Sequence, residues 1–156
     1  MFLWTFIPTG QHYSGEQIAG IIRREADYCG IPYAIALSLA ENESHLKAEA
    51  RGKNLLSKDY GLFQINNKCA NWICNRFGWT TNGTKNKYNL ADPVVNAHLA
   101  LKYLRSLHDM FGDWTIAVCA FNCGPTKVIK DQIPKSTRCY AQRVMAQYDW
   151  ARRHSW

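Results

Sequence analysis

Ile35, Leu39, Glu43 and Leu46 follow one another at steps of four, four and three residues, the spacing of one face of an α-helix. Three of the four are aliphatic. Glu43 stands where the stripe calls for another apolar side chain, so the helix that packs this face on a core must bring a carboxyl group with it. Pro32 marks where the helix starts, because its fixed φ suits the first turn. Glu41, two residues from Glu43 and roughly 200° around the helix, points elsewhere and reads as a solvated surface residue.

The helical period recurs along the chain. In "SGEQIAGIIRREADYCG" Ser14 and Gln17 have capping-box spacing, Ile18, Ile21 and Ile22 share a face, and Gly30 closes the segment. Asp92-Pro93 opens what should be the longest helix, "PVVNAHLALKYLRSLHDMF", and Gly112 ends it. "WTIAVCAFN" is stopped by Gly124-Pro125, and "STRCYAQRVMAQYDWARR" follows Pro134. A shorter helix is expected over "NNKCANWICNRFG", then a loop, "WTTNGTKNKYN", with the turn dipeptide Asn82-Gly83. From Lys47 to Tyr60 the periodicity gives way to Gly, Lys, Asn and Ser, as in a surface connection or a short irregular hairpin. There is no strand alternation and no internal repeat. A chain of 156 residues suits one domain, 1–156, that is all-α or mainly α with a minor hairpin and about six to eight helices.

Composition narrows the partners. The chain is 47% apolar and 20% charged, which excludes a disordered polymer. A formal charge of +7, from 19 Lys and Arg against 12 Asp and Glu, leaves two readings open, a solvated basic surface or attraction to a polyanionic matrix. Nucleic acid is not the expected partner. The longest basic runs are the pairs Arg23-Arg24 and Arg152-Arg153, and no nucleic-acid motif accompanies them. No stretch approaches the ~20 apolar residues of a membrane span, so no stable membrane insertion is expected. The start, "MFLWTFIPTGQHYSGE", lacks a basic leader and a small-residue cleavage site. It reads as a mature form, a domain of a larger protein, or a product exported by another route.

Six cysteines, Cys29, Cys69, Cys74, Cys119, Cys123 and Cys139, do not form paired zinc-finger spacings with nearby histidines. They are expected as small buried helix residues, free or partly bridged. No metal or organic cofactor is expected, since acid–base chemistry on the candidate residues needs neither.

An acid that donates a proton near neutral pH needs a raised pKa, and burial against apolar groups raises that of a carboxyl. Glu43 meets that requirement by position. The plainer reading is a partly buried structural carboxylate held by a cap or an arginine, which would lower its pKa instead, and the rest of the chain decides between them. Glu43-Ser44, then "GLFQIN", then "LADPVVNAHLALKYLRSLHDMFGDWTIAVCAFNCGP", then "IPKSTRCYAQRV" is an order of motifs that resembles the soluble lytic transglycosylase domain of the goose-type-lysozyme-like superfamily, over about residues 14 to 148.

The resemblance implies a lysozyme-like multi-helix fold that cleaves the β-1,4 bond between N-acetylmuramic acid and N-acetylglucosamine in peptidoglycan. Glu43 would protonate the glycosidic oxygen and then take the proton of the muramoyl 6-hydroxyl, leaving a 1,6-anhydro sugar. The resemblance further implies substrate contacts from Ser44, from the cleft amides Gln64 and Asn122, and from Tyr140, whose hydroxyl would reach toward Glu43. Phe63 takes a position where many members carry Met and would form an apolar wall. Plainer roles stand beside these: helix-end hydrogen bonding for Gln64 and Asn122, core packing for Tyr140, backbone conformation for Gly61 and Gly124. His45 reads as an exposed helix-end residue. The expected setting is the cell envelope, the periplasm, the outside of the cell or a virion, with a secretion apparatus or an infecting phage as the partner system. Ala120-Phe121-Asn122-Cys123-Gly124 departs from the family's Ala-Tyr-Asn-Ala-Gly, so one phenolic hydroxyl is missing.

Asp59 is the second acid of interest. "SKDYGLFQIN" also resembles the segment of animal-type lysozymes that carries a second catalytic aspartate. Paired carboxylates about 5 Å apart serve retaining hydrolases, and about 6.5 to 9.5 Å apart inverting ones. Hydrolysis with Glu43 and Asp59 is therefore the alternative. The preferred expectation is that Asp59 is a loop residue capping the next helix, with an auxiliary electrostatic role.

Overall fold

A computed structural model describes residues 12–53, 58–77 and 89–154. Within them lie seven helices and a small sheet. The helices are α1 (Gly15–Cys29), α2 (Tyr33–Ser44), α3 (Asn67–Phe77), α4 (Pro93–Phe111), α5 (Trp114–Cys123), α6 (Pro125–Ile129) and α7 (Lys135–Arg153). Strands β1 (Arg51–Lys53), β2 (Lys58–Tyr60) and β3 (Ile65–Asn66) form an antiparallel sheet in that order. The mainly helical architecture is the expected one.

The helix limits follow local chemistry. The Ser14 side chain accepts from the Gln17 N–H, the Gln17 side chain accepts from the Ser14 N–H, and Gly30 closes α1 in the left-handed region. Asp92 accepts from the Val94 N–H, Pro93 opens α4, and Gly112 ends it at φ 70°. α7 equals α4 in length, with 19 residues each. α6, a single turn between Gly124 and Lys130, is additional to the expected set. The Asn82-Gly83 turn lies outside the described residues.

α4 is the central helix. Leu99, Leu101, Leu104 and Leu107 are all buried on it, so more than one stripe is covered, by α1, α5 and α3. α2 is buried at Ile35, Ala36, Leu39 and Ala40 and lies against α1 and α7. One polar group at the core joins the sheet to these helices. Asn96 of α4 has no exposed surface; its Oδ1 accepts from the Phe63 N–H at 2.8 Å, and its Nδ2 donates to the carbonyls of Tyr60 and Leu90 at 2.7 and 2.9 Å. Gly61 fits against it at φ 74°, where a Cβ would come within 2.5 Å of Asn96 Nδ2. A side chain larger than hydrogen is excluded there by contact and by backbone conformation alike.

Candidate active site

Glu43 lies in the last turn of α2, one residue before the helix ends. The register of α2 on α7 is fixed by Ser38, whose hydroxyl donates to the Val144 carbonyl at 2.9 Å and also meets Gln147 Oε1. That register brings Tyr140 of α7 opposite Glu43, and the phenol donates to Glu43 Oε1. Burial pushes the Glu43 carboxyl above its ordinary range. The Tyr140 hydrogen bond pulls it back by favouring the anion, and the charge of Asp59 pushes it up again. The Tyr140 phenol is itself pushed far up by burial and by Glu43, so it remains a donor at any physiological pH.

Glu43, Asp59, Gln64 and Asn122 line one cavity of about 250 Å³. Four separate elements deliver them: α2, β2, the turn before β3, and α5. Gln64 adopts a left-handed φ of 48°, and its Nε2 donates to the carbonyls of Gly61 and Ala50 at 2.9 and 3.3 Å. Its side chain crosses Gly52, where a Cβ would lie 2.6 Å from Gln64 Oε1. Asn122 Oδ1 accepts from the buried Thr137 hydroxyl at 2.7 Å, which leaves Asn122 its amide N–H groups and one further acceptor position to offer the cavity.

Asp59 is in strand β2, in register with Gly52 on one side and Asn66 on the other. This corrects the expectation of a loop residue capping the next helix. That helix, α3, starts at Asn67, and Asn66 caps it: its Oδ1 accepts from the Cys69 N–H at 2.9 Å. Ser44 and Phe63 also sit differently from the expected substrate contacts. Ser44 is buried and donates to the carbonyls of Leu62 and Ala40 at 2.8 and 3.2 Å, tying the end of α2 to the turn after β2. Phe63 has no exposed surface and fills the core behind the cavity. His45 ends α2 with its side chain 80% exposed, and Glu41 beside it is partly solvated.

The rest of the cavity wall is Ile65, Asn66, Cys69, Tyr103 and Phe121. Neither Cys69 nor Tyr103 stands out in the sequence, because each lies on a helix face defined only when α3 meets α4. Burial raises the Cys69 thiol to about 11 and the Tyr103 phenol to about 12, so both are neutral. All six cysteines lie on helices, with no disulfide among them. Among the described residues, no three His, Cys, Asp or Glu side chains are grouped to hold a metal ion, and no helix is long and apolar enough to cross a membrane.

This constellation of a half-buried acid on a helix end, a tyrosine donor and two cleft amides coincides with a family model, the transglycosylase SLT domain, which matches residues 20–141. The chain belongs to that family. Solved structures agree with the SLT fold. An inactive glutamate-to-glutamine mutant of the lytic transglycosylase Slt from Pseudomonas aeruginosa superposes with a TM-score of 0.68 at 25% identity, covering 82% of this chain and 22% of that one. The 70 kDa soluble lytic transglycosylase SLT70 from Escherichia coli gives 0.70 at 25% identity, over 82% of this chain and 23% of its own. The complex of a 70 kDa soluble lytic transglycosylase with bulgecin A shares the fold at 22% identity, with a TM-score of 0.72, 86% of this chain and 24% of that one. The SLT chain described here thus spans less than a quarter of each of these proteins. No curated protein sequence matches it.

Proposed function

We propose that this SLT domain is a peptidoglycan lytic transglycosylase with Glu43 as its acid and base. The observation that carries the reading is the Glu43–Tyr140 contact at the wall of a cavity, in a chain of this family. Burial holds Glu43 protonated to higher pH than an exposed glutamate, as a general acid requires. Tyr140 engages Oε1, which leaves Oε2 to carry the proton to the glycosidic oxygen. As the bond from that oxygen to muramoyl C1 breaks, the leaving sugar takes the proton and positive charge spreads over C1 and the ring oxygen. Glu43 is now a carboxylate, and Tyr140 stabilises it. It then removes the proton of the muramoyl 6-hydroxyl, whose oxygen closes on C1. The product is a 1,6-anhydro sugar, no water is consumed, and the acid is restored.

Gln64 and Asn122 orient the sugar amides and hydroxyls, Ser44 holds the end of α2 in place, Phe63 backs the wall, and Asp59 lends negative charge to the developing cation. Hydrolysis is the second reading, favoured by one observation: Asp59 shares the cavity with Glu43. In that case water replaces the 6-hydroxyl. The setting proposed is the cell envelope or a virion, where glycan strands are met by a secretion apparatus or an infecting phage.

Release of soluble fragments from purified peptidoglycan tests the assignment of the acid. Glu43→Gln should abolish release while keeping the helical circular dichroism of the parent. Release at the parental rate would remove Glu43 from the mechanism.

A further inference from the structure

The cavity wall does not end at the cavity. Asn66, the residue that caps α3, and Cys69 in its first turn line it, and the next residue at the same three-residue step is Trp72. Tyr103, also in the wall, meets the Trp72 ring edge to face, with centroids 5.6 Å apart at 74°. On its other side Tyr103 lies 5.7 Å from Phe121, a third wall residue, at 43°. Three aromatic rings thus run without a break from the chamber that holds Glu43 to the surface, where Trp72 is 47% exposed.

We propose that Trp72 is a glycan-binding residue, a platform on which a pyranose ring of the strand stacks after leaving the cavity. The inference rests on the reading of this site as glycan-cleaving. Amino sugars in β-1,4 linkage present one face of axial C–H bonds, which are weakly positive and apolar. An indole face is apolar and negative, so the two are complementary. The Tyr103 contact holds the indole in place before binding, which reduces the side-chain entropy lost when a sugar docks. The core does not need Trp72 at this position, since Ala70, Ile73 and Cys74 supply the buried face of α3. A strand is the occupant the geometry favours over a protein partner, because the platform is continuous with the chamber that takes one sugar link.

The test is the affinity for the hexamer of N-acetylglucosamine, measured by titration calorimetry in the Glu43→Gln background so that nothing is cleaved. Adding Trp72→Ala or Trp72→Leu should weaken binding about tenfold, the loss of roughly one stacking contact, whereas Trp72→Phe should retain most of it. Parental affinity in the Ala and Leu variants would overturn the proposal. Recovery with Leu equal to that with Phe would also overturn it, since filling the volume would then suffice. If the Glu43→Gln chain itself fails to bind the hexamer, the glycan reading of the whole site falls, an outcome distinct from equal binding by parent and variant.

Discussion

At the scale of single residues, the Glu43–Tyr140 pair makes predictions of opposite sign for activity and stability. A buried carboxyl with a raised pKa destabilises the fold once ionised: the stability it contributes is present below its unfolded pKa and is lost as pH rises through the folded one. Glu43→Gln removes that cost and keeps an acceptor for Tyr140. The inactive variant should therefore melt above the parent on the alkaline side, with the difference vanishing as pH falls, as read by calorimetry. Tyr140→Phe deletes the hydrogen bond that lowers the Glu43 pKa. The alkaline limb of kcat/KM, where Glu43 loses its proton, should then move to higher pH, and kcat should fall because the carboxylate loses its donor. Asp59→Asn separates the two chemistries. A loss below about tenfold, roughly 1.4 kcal/mol, fits the auxiliary charge proposed, and a loss of several orders of magnitude fits hydrolysis. The unusual position of Glu43 was legible because one acid interrupts an apolar stripe. Asp59 was misread because a three-residue strand is too short to show alternation, and because its partners Gly52 and Asn66 are set by tertiary pairing.

At the scale of elements, two of the buried polar links carry predictions. Asn96 bonds three backbone groups, at the end of β2 (Tyr60), in the turn after it (Phe63) and in the segment before α4 (Leu90). Asn96→Ala leaves those groups without partners and should cost about 2 to 4 kcal/mol in urea unfolding. Because the same turn carries Gln64, activity should fall further than stability alone dictates. The other link joins α1 to α4: Glu25 Oε2 lies 2.7 Å from His98 Nδ1, both side chains buried, with Arg24 3.0 Å from Glu25 Oε1. Burial raises the Glu25 pKa, but His98 and Arg24 outweigh it and the net shift is downward. The stability this brings is present above the unfolded pKa and is lost as pH falls through the folded one. Glu25→Gln should flatten the acid side of the melting profile between about pH 5 and pH 3. Helices with polar caps were readable from their ends. Asn96 and Thr137 were not, since an asparagine or threonine inside a helical pattern says nothing of a partner many residues away.

At the scale of the whole molecule, the fold is a device for assembling one cavity from α2, β2, the turn before β3 and α5, with α7 supplying the donor for the acid. The helical class and the order of its parts were legible because caps and periodicity are local. Which faces converge was not, and Cys69 and Tyr103 in the wall show why: their surroundings exist only after α3 docks on α4. In the mechanism proposed, this cavity excludes water from the product and lets the muramoyl 6-hydroxyl close on C1. Mass spectrometry of fragments released from purified peptidoglycan tests it most directly. The released fragments should end in 1,6-anhydromuramic acid, about 18 Da lighter than the hydrolysed form by the mass of one water and resistant to borohydride. Fragments with reducing ends in their place would contradict it.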